Sequence, residues 1–316
     1  MKKYTSFTRC ALAALLLGPA LSTLSSCKKD YLTENPKSVL TPDNLYVDKA
    51  GFETGLYGLY NLVRSERSGT DGVNFLTFSG AFVGTDCAFS IFPATSSNDQ
   101  TFQLFGAQLN SLTAGVNTTW RYLYQMVNAA NTIIGRAENP GVTLTAAEKG
   151  QIVGEARLMR AMAYRHLTYL FGDVPLNLVE STGATIRTDW DRNSAAEVRK
   201  QMEDDLFFAE TNMAEVPPSE ARMPRAMATH LLAELYLTTG DNQKAQDKAQ
   251  SLVKNPLYKL ITARYGVQAN QPGTPSPTCF WTATRCAAMA IRRRCGCCRT
   301  SISRWAATST SCAAGG

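Results

Sequence analysis

Histidine is nearly absent from this chain of 316 residues, since His166 and His230 are the only two. The sequence also lacks a P-loop, a Gly-x-Ser-x-Gly nucleophile elbow and a His-Glu-x-x-His zinc motif. A run long enough to cross a bilayer is missing as well, because the apolar stretch Ala11–Leu21 is too short. Nothing here supports nucleotide hydrolysis, serine-type hydrolysis or zinc peptidase chemistry, and no cofactor is expected. Both histidines fall in helical patterns and are predicted to be structural.

The net charge of +6 is confined to the last part of the chain. Residues 279–316 contain six arginines and no lysine, aspartate or glutamate, so the remaining residues sum to zero. A basic surface for nucleic acid therefore has no support in the body of the chain, and no nucleic-acid partner is expected.

The same stretch has no helical or strand periodicity, yet it holds six of the nine cysteines. Its mixture of Arg, Cys, Ala, Thr and Ser is typical of GC-rich DNA read out of frame. We therefore expect 276–316 to be an out-of-frame, disordered tail, and the same frameshift would have removed the rest of a longer protein. The alternative is a metal site at Cys295–Cys298, but zinc sites usually pair two separated Cys/His clusters, and no metal is expected.

The N-terminus has the pattern of a bacterial secretion signal that ends at a cysteine. Lys2 and Lys3 precede the apolar stretch, and Leu24-Ser25-Ser26 leads into Cys27. Small residues before a cysteine resemble a lipobox, in which the thiol is acylated and the chain is cut just before it. We expect 1–26 to be a lipoprotein signal peptide and Cys27 to be the lipid anchor. The alternative is an ordinary signal peptide that happens to contain this cysteine.

The segment Gln151–Phe171 carries the strongest pattern in the chain. Gly172 follows it as a helix C-cap, and Pro175 prevents the helix from restarting. The pattern predicts one amphipathic helix that packs through its apolar face. That face consists of Ile152, Ala156, Met159, Ala163, Leu167 and Leu170.

Periodicity and breaker residues predict more helices and an all-α fold. The last two predicted helices meet at Gly240-Asp241 and form a hairpin of the tetratricopeptide type, which buries its apolar face by stacking on neighbours. Residues 64–111 fit no single period and are predicted to be a loop-rich insertion, a kind of segment that is usually functional. The further helices are predicted at 41–63, 116–137, 194–213, 222–240 and 242–254.

Three sequence segments resemble those of the SusD/RagB family, which comprises outer-membrane nutrient-binding lipoproteins of Bacteroidetes. They are QIVGEARLMRAMAYRHLTYLFGDVPLNLVE, the VNAANTII that contains Asn128 and Asn131, and the NPKSVLTPDNLY that follows the lipobox. The resemblance implies a SusD-like α-superhelical scaffold over 27–275. It also implies a non-catalytic protein, anchored to the outer membrane through Cys27 and facing the extracellular side, with a SusC-like TonB-dependent transporter as its partner.

A ligand site leaves a fainter trace. Sugars have flat apolar faces and many hydroxyls, so aromatic side chains beside polar ones suit them. The insertion offers that mixture, and the predicted ligand-binding residues are Asp86, Phe89, Phe92 and Trp120. The competing interpretation is that most of these aromatics belong to the core.

The function implied by the resemblance is the capture of a glycan or oligosaccharide and its delivery to the transporter. Two binding alternatives stay open: a peptide-binding member of the family, and a lipid-anchored helical-repeat adaptor that binds only protein. A third is a glycosidase that uses Asp204 and Asp205 as its acid pair, although their helical context favours scaffold or solvated surface.

Overall fold

A computed structural model describes residues 41–68, 85–86, 110–183, 187–219, 221–259, 262–264 and 270. The chain divides into two compact units, Met1–Asn44 and Leu45–Gly316. The described part contains seven helices and no strand, which confirms the all-α prediction. The predicted signal peptide, Cys27 and the tail at 276–316 lie outside the described residues. The helices are α1 (Pro42–Leu45), α2 (Lys49–Ser68), α3 (Ala114–Arg136), α4 (Ala146–Phe171), α5 (Ala195–Asn212), α6 (Arg225–Thr239) and α7 (Asn242–Val253).

The N-terminal helical pattern, predicted as one helix, is broken between α1 and α2. The chain leaves the helix after Leu45, and the backbone amide of Thr143 donates to the carbonyl of Val47 at 3.0 Å. Asp48 then starts α2, because its Oδ1 accepts from the backbone amide of Gly51 at 2.9 Å. This break depends on a residue far along the chain, so local periodicity could not show it.

Helix α4 lies at the centre of the described core. It packs against α2, α3 and α5, and its residues from Gln151 to Ala156 and from Leu158 to Tyr164 are buried. The prediction of a helix ending at Gly172 is confirmed, since Gly172 has φ +71°. The prediction of a single buried face was too narrow, because helices surround α4 on several sides. It was wrong for Leu170, which is 40% exposed.

Local capping explains why α4 and α5 begin where they do. Thr145 and Ser194 precede them, and each hydroxyl accepts from the backbone amide of a glutamate three residues on. The glutamate side chains, Glu148 and Glu197, accept in return from the amides of the capping residues. Both helices therefore start with a capping box, which satisfies otherwise unpaired amides.

The predicted hairpin of α6 and α7 is confirmed, and the two helices pack on each other. The turn is made by Gly240, whose φ of +84° is a left-handed conformation that favours glycine. Asp241 follows and caps α7 by accepting from the amide of Lys244. Helix α5 packs on α6, so the hairpin stacks on the rest of the core. No helix of the described residues is long and apolar enough to cross a membrane.

Two buried ion pairs join the helices. Arg160 of α4 holds Asp205 of α5 through two bonds of 2.8 and 2.7 Å. Glu155 of α4 accepts from Arg222, which precedes α6, at 2.9 Å. The side chains of these four residues are at most 4% exposed. Buried charges need such partners, so these two ion pairs restrict which helices can lie side by side.

Candidate functional site

Three aromatic side chains meet where the N-terminal half of α3 approaches the end of α4. The ring of Trp120 lies 4.9 Å from that of Tyr124 and 4.9 Å from that of Phe171, the latter in an edge-to-face arrangement at 86°. All three pack on the core while part of their surface stays exposed. We call Trp120, Tyr124 and Phe171 the aromatic corner. A partly exposed, immobilised indole of this kind offers the flat apolar face that a sugar ring stacks on.

The aromatic corner is tied to the chain that follows α4. The hydroxyl of Tyr124 donates to the carbonyl of Pro175 at 2.7 Å. Burial raises the pKa of this phenol well above its ordinary value, with the neighbouring hydroxyl of Tyr164 as a smaller cause. Tyr124 therefore stays protonated and can donate this bond throughout the physiological pH range.

Of the four predicted ligand residues, the structure describes two. Trp120 lies in the aromatic corner, and Asp86 is exposed on the described dipeptide Thr85-Asp86. Phe89 and Phe92 lie outside the described residues. The grouping of all four into one site therefore stays a prediction, whereas the grouping of Trp120 with Tyr124 and Phe171 is a finding.

A second exposed aromatic lies in the loop before α5. Trp190 is 36% exposed, and the guanidinium of Arg187 stacks over its ring at 4.5 Å. Its indole N–H donates to the carbonyl of Arg187 at 3.0 Å, which fixes the ring. One face of this indole is covered by the cation, so Trp190 is less open to a stacked ligand than a free ring would be.

The candidate acid pair of a glycosidase is divided between two environments. Asp205 is fully buried, and its oxygens accept from Arg160 and Gln201. Asp204 is exposed and accepts from Lys200 at 2.9 Å. One carboxylate belongs to the scaffold and the other to the solvated surface, as their helical context indicated.

The two histidines occupy different environments. His166 is partly buried on α4, whereas His230 is exposed on α6. Among the described residues, no three His, Cys, Asp or Glu side chains come together as a metal site requires. The cysteines of the tail lie outside that part of the chain.

Sequence reasoning found Trp120 but missed its two partners. Phe171 was assigned only to the end of a helix, and Tyr124 was not singled out. A signal was present in α3, because residues four apart share one helix face, and Trp120, Tyr124 and Asn128 follow that spacing. The approach of Phe171 has no comparable signal, because it depends on how α3 packs against α4.

Comparison with known proteins gives the family. The SusD-like family model described as "Starch-binding associating with outer membrane" matches residues 82–237. The chain is also 26% identical over 244 residues to SusD-like protein P2 of Formosa agariphila, a match that covers 74% of this chain and 45% of that protein. The chain belongs to the SusD-like family. It spans about half the length of the curated relatives that it matches.

Solved SusD-like structures share the fold. A laminarin-binding SusD-like protein matches with a TM-score of 0.60 and 23% identity, over 69% of this chain and 47% of that one. A second structure, described with a xylogluco-oligosaccharide, matches with a TM-score of 0.53 and 24% identity, over 67% of this chain and 42% of that one. The predicted SusD-like helical scaffold is therefore confirmed.

Proposed function

We propose that this protein binds a glycan or oligosaccharide at the cell surface without cleaving it and delivers it to a SusC-like TonB-dependent transporter. The observation that carries the proposal is the aromatic corner, which presents a fixed indole on a SusD-like scaffold. Two relatives of that fold support the choice of ligand, since one is described as laminarin-binding and the other with a xylogluco-oligosaccharide. The aromatic corner supplies stacking, and nearby polar residues would select among hydroxyl patterns.

A non-catalytic role agrees with the chemistry of the described residues. A glycosidase needs one carboxyl that protonates the leaving group and a second that acts as nucleophile or base. Both oxygens of Asp205 already accept from Arg160, and its Oδ1 also accepts from Gln201. Its neighbour Asp204 is paired with a lysine at the surface. Binding therefore fits the arrangement better than bond cleavage does.

Affinity electrophoresis of the full chain against laminarin, xyloglucan and starch tests the proposal. Trp120→Ala removes the stacking face, and we expect the affinity for the retained glycan to fall about tenfold. Tyr169→Ala is the matched control, because Tyr169 is also exposed but packs against Arg165. Residues two apart in a helix do not face each other, so Tyr169 lies on a different side of α4 from Phe171. Equal losses in both variants, or clear binding of peptides with no glycan retained, would overturn the proposed function.

Anchoring is the second part of the proposal. We propose that 1–26 is removed, that Cys27 is acylated, and that the protein lies on the outer face of the outer membrane. Stable anchoring takes more than one acyl chain, because each buried CH₂ contributes only about 0.8 kcal/mol. Mass spectrometry of membrane-extracted protein should show an acylated N-terminal cysteine. A soluble product that begins at another residue would contradict this part.

Delivery to the transporter has its own test. The test is co-purification of the acylated protein with a TonB-dependent transporter from a neighbouring gene, which should yield a stable complex. A neighbourhood without such a gene, or a complex that never forms, would leave glycan capture standing and remove the delivery role.

A further inference from the structure

The segment that follows α4 is extended and lies across α3 and α4. We call residues 174–181 the strap. Its first residue, Val174, is fully buried and pairs with Asn193 through two backbone bonds of 3.1 Å. From Pro175 onward, side chains make the hydrogen bonds to the strap backbone. An extended segment needs partners for its buried amides and carbonyls, and here side chains of α3, of α4 and of Asn193 supply most of them.

Side chains of α3 bind the strap at three points. Tyr124 donates to the carbonyl of Pro175, and the Asn131 amide donates to the carbonyls of Asn177 and Val179 at 3.0 and 3.2 Å. Asn128 accepts from the backbone amide of Ser181 at 2.7 Å and donates to its carbonyl at 3.3 Å. Because these three residues of α3 are four and three positions apart, they share one face of the helix.

Helix α4 holds the middle of the strap. The hydroxyl of Tyr164 donates to the carbonyl of Asn177 at 2.8 Å and accepts from its amide at 2.7 Å. The strap is therefore bound by a tyrosine of α4 and by a tyrosine and two asparagines of α3. Each such bond makes only a small net contribution, but their sum holds the strap firmly.

Asn131 also connects the strap to the buried ion pair. Its Oδ1 accepts from Arg160 at 2.7 Å, and Arg160 in turn holds Asp205. With its acceptor fixed by a cation, the amide can present only its donors to the strap. The orientation of Asn131 is thus set from α5 through α4, and the Asn side chain is 1% exposed.

The strap begins close to the aromatic corner. Phe171 ends α4 only a few residues before Pro175, and Tyr124 both contacts the ring of Trp120 and binds the Pro175 carbonyl. A strap that moved would carry the end of α4 with it and would release the hydroxyl of Tyr124. Both changes act on the ring that faces the proposed ligand.

We propose that the strap is the mount that fixes the aromatic corner in its ligand-binding orientation, with Tyr124 and Asn131 as positioning residues. The ligand-binding part of this proposal rests on the proposed function. The positioning of the aromatic corner by the strap has consequences that can be measured without a ligand. Loosening the strap should disturb the environment of Trp120 even in the free protein. It should also weaken glycan binding without removing any ring from the site.

Two variants of the full chain separate positioning from packing. Tyr124→Phe keeps the ring beside Trp120 and loses only the hydroxyl. Asn131→Asp keeps an oxygen for Arg160 but replaces the amide nitrogen, which donates both bonds to the strap, with an oxygen that can only accept. Tyr122→Phe is the matched control, because the Tyr122 hydroxyl donates to the carbonyl of Leu62 at 2.6 Å, away from the strap.

Three measurements are made on each variant. Hydrogen exchange of the strap amides should rise about fivefold in Tyr124→Phe and about tenfold or more in Asn131→Asp, and should not change in Tyr122→Phe. The ¹⁹F resonance of Trp120 in 5-fluorotryptophan-labelled protein should shift or broaden in Asn131→Asp, although Asn131 lies on a different part of α3. Glycan affinity should fall three- to tenfold in both strap variants.

The outcomes distinguish the two proposals. Faster strap exchange with an unchanged Trp120 resonance would overturn the mount, because the strap would then be scaffold alone. An unchanged exchange rate in Asn131→Asp would overturn it as well. If exchange and resonance respond as expected while the unaltered chain retains no glycan, the mount is supported and the proposed ligand class fails.

Discussion

Asp205→Asn offers a direct test of how the helices are held together. The change keeps the shape of the side chain and removes its charge, so an amide N–H₂ group would face the guanidinium of Arg160. In the native chain, Asp205 is fully buried and Arg160 has a side-chain exposure of 4%. Their two bonds measure 2.8 and 2.7 Å. The variant therefore leaves a buried guanidinium without its counter-charge.

Breaking a buried pair from one side costs about 3–5 kcal/mol of unfolding free energy, because the remaining charge cannot regain water. For a domain of this size, about 1 kcal/mol corresponds to roughly 2–4 °C in melting temperature, so we expect a drop of about 6–20 °C. Arg157 and Gln201 also approach Asp205, at 3.7 and 3.2 Å, and lose part of their pairing in the same variant.

The assay is urea unfolding followed by circular dichroism, with thermal unfolding as a second measure. Asp204→Asn is the control, since the adjacent carboxylate is 54% exposed and its pair with Lys200 is screened by solvent, so losing it should change the stability little. Similar losses in the two variants would refute the reasoning, because burial would then make no difference to the value of the pair.

Three further outcomes follow from single residues. Hydrogen bonds from Thr145, first from its backbone amide and second from its hydroxyl, lower the pKa of Glu148 from 4.5 to about 2. The stabilising effect of this carboxylate is therefore present above pH 4.5 and is lost as the pH falls towards 2. An NMR titration that gives a pKa near 4 for Glu148 would contradict the capping box. Gly240→Ala should cost about 1–2 kcal/mol in urea unfolding, since its φ is +84°, and a neutral result would mean that the turn rearranges. Tyr60→Phe should cost about 1–3 kcal/mol by the same assay, because its hydroxyl donates to a buried carboxylate at 2.7 Å, whereas Tyr57→Phe at the surface should be near neutral.

The helices were predictable because the residues that begin and end them are adjacent to them in the sequence. Ser194 before α5, Gly172 after α4 and Gly240 after α6 are residue types that are preferred at helix ends, and the structure places each at such an end. The break after α1 escaped prediction, because the chain leaves the helix there to meet Thr143. Local signals report local choices, and a contact across the fold can override them.

The candidate site was less accessible to sequence reasoning than the fold. Trp120 could be chosen by residue type and position, but its value as a binding face depends on Phe171, which reaches it only after two helices have packed. Asn128 and Asn131 were noticed as a motif, without a physical role. Their role is to bind backbone carbonyls and amides of the strap. Every residue type has these backbone groups, so the sequence of the strap gives no sign that asparagines bind it.

Polar contacts run from Asp205 through Arg160 and Asn131 to the strap. They are better understood as a source of structural specificity than as a source of stability. Replacing a whole buried ion pair with apolar residues is often neutral or stabilising, so stability alone does not account for Arg160 and Asp205. Apolar substitutes would, however, leave the Asn131 acceptor without the cation that orients it. The amide could then turn, and its donors would no longer be aimed at the strap. Charge buried between helices thus determines where an extended segment lies, and that segment leads directly from the aromatic corner.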